Sequence, residues 1–165
     1  MRTFGASDIN TDEHFRAAAM IYTIQDLKDP IATYLKDDPV RPHIPHEQRF
    51  GANRQVLALT DGDTVKAVVC ARLCKGVPST EQELLDENIQ DPDTVVFYTI
   101  WSYSAGAGQR LIKEGLKKVQ LELPTVKRFV TLSPPTEMAK RFHLKNGAQV
   151  FRVNTDTVNY EYIQQ

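Results

Sequence analysis

Apolar and polar positions follow two rhythms along this chain, and each rhythm marks one kind of element. Runs rich in β-branched and aromatic residues occur at QVLALT (55–60) and TVKAVVCARL (64–73). Asp61-Gly62 lies between them, the favoured chemistry of a tight turn, so 55–73 reads as a hairpin. TVVFYTIW (94–101) reads as a buried strand. KRFVTLS (127–133) is the next strand. QVFRVN and VNYEYI follow as two more, antiparallel at a sheet edge.

The helical rhythm appears elsewhere. Residues 11–28 predict a helix: Asn10 or Thr11 caps it, Asp12 and Glu13 sit in the first turn, and Phe15, Ala18, Ala19, Tyr22, Ile24 and Leu27 give an apolar face. Pro30 ends or interrupts it, with a second short helix at IATYLK (31–36). STEQELLDEN (79–88) reads as a helix capped by Ser79, with Gln82 three residues on. QRLIKEGLKKVQLEL (109–123) carries Leu111, Ile112, Leu116 and Val119 on one face and an i,i+4 pair, Glu114 and Lys118, on the other. Gly115 inside it marks a close approach of backbone to backbone. A last helix runs from Ser133 to Gly147. The Pro- and His-rich stretch 37–54 is a loop long enough to cover a site. This order fits one domain, residues 1–165, with a single sheet and helices on both faces.

Composition narrows the function classes. The formal net charge of −1 argues against a nucleic-acid partner. No apolar stretch is long enough for a bilayer and the N-terminus lacks a signal-peptide core, so a cytoplasmic protein with no membrane partner is expected. Cys70 and Cys74 have no matching Cys/His pair and read as buried free thiols. His43 and His46 form H-x-x-H with no third ligand in view, so no metal site is expected.

Three features carry chemistry. The turn SAGAGQ joins a strand to a helix; its small residues and free N–H groups suit an anion such as a pyrophosphate. The same turn also reads simply as one needing Gly at positive φ. Ser133, before Pro134-Pro135, reads as a helix N-cap that can still show its hydroxyl to a ligand. His143 reads either as a cation at a helix C-terminus or as the side chain best suited to move a proton near neutral pH. Most basic residues of the C-terminal half form a solvated helix face.

Over roughly residues 65–162 the chain resembles the catalytic domain of malonyl-CoA decarboxylases, members of the GNAT acyltransferase superfamily. The matching segments are KGVPSTEQELLDE, DTVVFYTI, GQRLIKEGLKKVQLELPTVKRFVTLSP, FHLKNGAQVFRVN and VNYEY. They stand against the family's FYSI, ELP, LSP, FHLxNGAxxWRxN and NYRY motifs. There are departures. The family's LSPIPGF is LSPPTEM here, its motif tryptophan is Phe151, and its glycine turn is longer. Its long insertion between the serine and histidine motifs is replaced by nine residues between Ser133 and His143.

The resemblance implies an α/β (α+β) GNAT-like fold: a single mixed, mostly antiparallel sheet flanked by helices. It implies Ser133 and His143 as catalytic residues, and Ala105, Gly106, Ala107, Gly108, Gln109 and Arg110 as the loop holding the CoA pyrophosphate. The implied small-molecule partner is a CoA thioester, with no further cofactor. The implied reaction is decarboxylation of malonyl-CoA or a related malonyl thioester. In it Ser133 orients the carboxylate, His143 protonates the enolate carbon, and backbone N–H groups near the end of the TVVFYTIW strand hold the oxyanion. The alternative is acyl transfer from acetyl-CoA to an amine, with Tyr98 or Tyr160 as general acid. A third reading is a catalytically silent CoA- or protein-binding module.

Overall fold

The computed structural model describes residues 19–163. Seven strands form one sheet: β1 (Ala19–Ile24), β2 (Arg54–Asp61), β3 (Thr64–Cys74), β4 (Thr94–Ser102), β5 (Arg128–Thr131), β6 (Ala148–Val153) and β7 (Val158–Tyr162). Their spatial order is β1-β2-β3-β4-β5-β7-β6. Only the β4–β5 pair is parallel. The helices are α1 (Glu81–Leu84), α2 (Ala107–Glu122) and α3 (Glu137–Lys145), with 3-10 turns at Pro30–Asp37 and His46–Arg49. No helix among the described residues is long and apolar enough to cross a membrane.

Strand alternation sends side chains to two separate cores. On one face Leu57, Val69, Val95, Phe97, Phe129, Tyr160 and Tyr162 meet Leu111, Ile112 and Val119 of α2, with Phe142 of α3 packed alongside. On the other, Val56, Val68, Cys70, Val96, Tyr98, Val130 and Leu132 are covered by Ala32, Leu35, Ile44 and Leu84. The sheet is therefore mixed, mostly antiparallel and covered on both sides, as expected.

Several local expectations need correction. Residues 19–24 form a strand, not a helix; the first part of the expected helix, 11–18, lies outside the described residues. Ala19, Tyr22 and Ile24 belong to the expected helical face, but β1 pairs along its whole length with β2, and strand hydrogen bonds with burial decide the outcome. Pro30 begins the following 3-10 helix, capped by Asp29, instead of ending one. The hairpin turn is Gly62-Asp63, one residue later than Asp61-Gly62, because Asp61 still pairs with Thr64. α1 is a single turn capped by Thr80, which accepts from Glu83 N–H; Ser79 instead donates through N–H and Oγ to the Glu83 carboxylate. On α2, Glu114 pairs with Arg110, and Lys118 with Glu122.

α3 is capped by Thr136, so Ser133 is not an N-cap. Ser133 instead extends the sheet: its N–H and C=O both bond Val158, each at 2.9 Å. That exchange holds the chain extended past β5 and delays the helix by three residues.

Candidate active site

The parallel pair β4–β5 runs in register only from Thr94–Arg128 to Phe97–Thr131. One further main-chain bond, Leu132 N–H to Phe97 C=O at 3.3 Å, ends it. Opposite β3, the register skips from Cys70–Thr99 to Ala71–Phe97, leaving Tyr98 as the extra residue of a β-bulge. Such a bulge bends its strand, and β4 parts from β5 at this point.

The two residues singled out by the sequence sit beside the opening. Ser133 is 4% exposed, and its Oγ donates to Thr131 Oγ1 at 2.8 Å. Thr131 pairs with Phe97, so both hydroxyls lie on the α2–α3 face. Thr131 Oγ1 also accepts the Tyr160 N–H at 3.1 Å. His143 is 5% exposed. Its ring stacks on Tyr160 with centroids 5.1 Å apart and stands edge-on to Tyr162 and Phe142. Its Nδ1 lies 2.7 Å from the Tyr162 hydroxyl. Ser133 and His143 therefore share one face, joined through Thr131 and the two tyrosines. His143 does not act as an exposed cation at the end of α3. Burial lowers its pKa from 6.5 to about 4, so the free imidazole is neutral at pH 7.

The glycine turn opens α2 as expected. Gly106 is the N-cap, with φ 78°, a conformation costly for any residue with a Cβ. No side chain caps this helix end. Ala105 and Gly106 are exposed, Ala107 and Gly108 buried, and Gln109 half-buried. Arg110 pairs with Glu114 and donates to the Ala19 carbonyl at 3.3 Å. A Cβ on Gly108 would stand 3.3 Å from the Phe142 ring. That close approach brings the start of α2 against α3, beside His143.

Four residues here escape sequence reading. Thr131 and Tyr162 are legible in hindsight, since period-2 alternation puts them on the face of Ser133 and Tyr160. Arg41 and Glu81 gave no local signal. Arg41 leaves the long loop, donates through Nη1 to Tyr98 C=O and through Nη2 to Leu132 C=O at 2.8 Å, and holds Glu81 through Nε at 3.0 Å. Glu81 in turn bonds His43 Nε2 at 2.6 Å. The Tyr98 ring lies in the core away from His143, and burial raises its pKa strongly. Of the two tyrosines considered for acyl transfer, Tyr160 is the one beside His143.

No protein-family model matches the chain, and no curated protein sequence matches it. Solved structures do. Malonyl-CoA decarboxylase from Agrobacterium vitis aligns with a TM-score of 0.76 at 20% identity, over 98% of this chain and 65% of that one. The Rhodopseudomonas palustris enzyme gives 0.74 at 20% identity, over 94% and 62%. GphF, a GNAT-like decarboxylase in complex with isobutyryl-CoA, gives 0.70 at 13% identity, over 87% and 98%. The chain thus spans less than two thirds of the length of the malonyl-CoA decarboxylases it matches. It has a GNAT-like fold and resembles malonyl-CoA decarboxylase in structure.

Proposed function

We propose that this chain acts on a CoA thioester and that its reaction is the decarboxylation of malonyl-CoA, or a related malonyl thioester, to acetyl-CoA and CO2. The observation that carries this reading is the pairing of a buried serine hydroxyl and a buried neutral imidazole on one face, where β4 and β5 part.

Carbon–carbon cleavage is fast when the carboxylate stands out of the thioester plane, so that its bonding electrons flow into the carbonyl. Ser133 is the orienting group. If the Ser–Thr bond reverses, with Thr131 donating, the Ser133 proton is released to the carboxylate while Thr131 still accepts from Tyr160 N–H. Backbone N–H groups at the parting of β4 stabilise the thioester oxygen as it gains charge.

His143 serves as the acid. Tyr162 fixes its Nδ1, leaving Nε2 toward the substrate. A carboxylate brought beside the ring favours its charged form, so the imidazolium forms with substrate in place. It then hands its proton to the enolate carbon. The CoA pyrophosphate takes the N–H groups of Gly106, Gly108 and Gln109, while that of Ala107 donates to Ser104 C=O at 3.2 Å. Arg110 assists only by leaving Glu114.

The test incubates the protein with malonyl-CoA and follows CO2 and acetyl-CoA. Ser133→Ala and His143→Ala should each lower turnover by about 10²-fold or more, with CoA binding retained. Normal turnover in both variants overturns the assignment. Release of free CoA from acetyl-CoA only when an amine is present supports acyl transfer instead, for which Tyr160 beside His143 is the available acid. Binding of CoA without either reaction supports a silent module.

A further inference from the structure

We propose that Arg41 seals the β4–β5 opening from the face opposite His143, and so denies the thioester carbonyl any acceptor larger than water. The proposal rests on the CoA-thioester reading and adds a determinant that separates decarboxylation from acyl transfer.

Main-chain pairing between β4 and β5 ends at the Leu132–Phe97 bond. Immediately beyond it one guanidinium takes the carbonyls of Tyr98, in β4, and of Leu132, the residue that follows β5. A side chain thus replaces the next rung of the ladder. Arginine suits this task because its planar fork reaches two acceptors at fixed spacing. Arg41 comes from the loop on the Tyr98 and Leu132 side of the sheet, and is itself 4% exposed.

Behind the guanidinium lies space. Arg41, His43 and Glu81 line an open cavity of about 620 Å³, together with Pro134 and the β6–β7 turn. That volume falls within the range of small-molecule sites. Both neighbours of Ser133 in the chain are tied to this side: Pro134 lines the cavity, and Leu132 C=O is held by Arg41, which lines it too. Ser133 itself turns to the other face.

With the guanidinium removed, an amine in the cavity could approach the thioester. Its nitrogen would bond to the carbonyl carbon, the carbon–sulfur bond would break, and CoA would leave as the thiol with the amine's proton.

The test uses the full chain and two readouts. In the first, Ser133→Cys supplies a thiol at the opening. Cys70 and Cys74 are buried, with thiols pushed up to about 11, and report any general loosening. Adding Arg41→Ala should speed iodoacetamide labelling at position 133 about tenfold, while Cys70 and Cys74 stay protected. Unchanged labelling at 133 in a folded variant overturns the proposal. If Arg41→Ala exposes the native cysteines, Glu81→Gln replaces it. That change loosens Arg41 without emptying its place, and a smaller acceleration at 133 is expected; none overturns the seal.

In the second readout, acetyl-CoA is incubated with small primary amines. Arg41→Ala should release CoA in an amine-dependent way, about tenfold faster than wild type. Equal amine-dependent rates in both proteins overturn the proposal. Faster labelling at 133 in a chain that never turns over malonyl-CoA sinks the decarboxylase reading but leaves the seal standing.

Discussion

At the scale of single residues, His143 is the most consequential side chain. Its folded pKa of about 4 lies below its ordinary 6.5, and burial is the cause. The unfolded chain therefore binds a proton between those values that the folded chain refuses. Stability is fully present above pH 6.5 and is lost as pH falls toward 4, by roughly 3 kcal/mol. Urea titrations across that range should show the loss in wild type and a much flatter slope in His143→Gln. The proposed mechanism adds a kinetic signature. Substrate raises the imidazole pKa, so the limb of kcat set by this acid should lie above pH 4, while kcat/KM reports the free-enzyme value. A kcat limb at the same pH as that of kcat/KM would remove the substrate-coupled proton from the mechanism. Sequence reading reached Ser133 and His143 because the motifs around them are local. It missed Arg41 because that side chain acts on carbonyls 57 and 91 residues away.

At the scale of elements, α2 shows where local rules succeed and where they stop. Its span and apolar face were legible from periodicity. Its ion pairs were not, because Arg110, Glu114, Lys118 and Glu122 offer several i,i+4 choices and the folded chain takes Arg110–Glu114 and Lys118–Glu122. Gly115 is also not the close backbone approach its sequence suggests. A Cβ there would meet only the Leu57 side chain, at 3.7 Å, an ordinary contact. Gly115→Ala should therefore stabilise the protein by about 0.5–1 kcal/mol, through helix propensity and a less disordered unfolded chain. An upward shift in the denaturation midpoint checks this. β1 teaches the opposite lesson. AMIYTI satisfies a helical spacing, yet a free sheet edge beside β2 recruits it, a tertiary fact that no local window contains.

At the scale of the molecule, the general architecture was readable because β2, β3 and β4 are long and apolar on both sides. The path of the 37–54 loop was not, because it is fixed by a buried ion pair. Asp38 and Arg49 are both buried and bond at 2.7 Å, while the other Asp38 oxygen accepts the N–H groups of Val40 and Arg41. One carboxylate therefore positions the loop that carries the proposed seal. Asp38→Asn, which leaves a buried guanidinium without its counter-ion, should cost about 3–5 kcal/mol by denaturant melting.

The opposite wall is tied from further along the chain. Arg152, Asn159 and Thr157 donate to the carbonyls of Val77, Pro78 and Ser79, across 75, 81 and 78 residues. Those carbonyls lead directly into the turn that presents Glu81. During synthesis the helix that carries Glu81 emerges long before the strands that steady it. The chamber beside Arg41 is consequently among the last parts of the protein to take shape, and a chain stalled near residue 150 carries both Ser133 and His143 but an unfinished room around them.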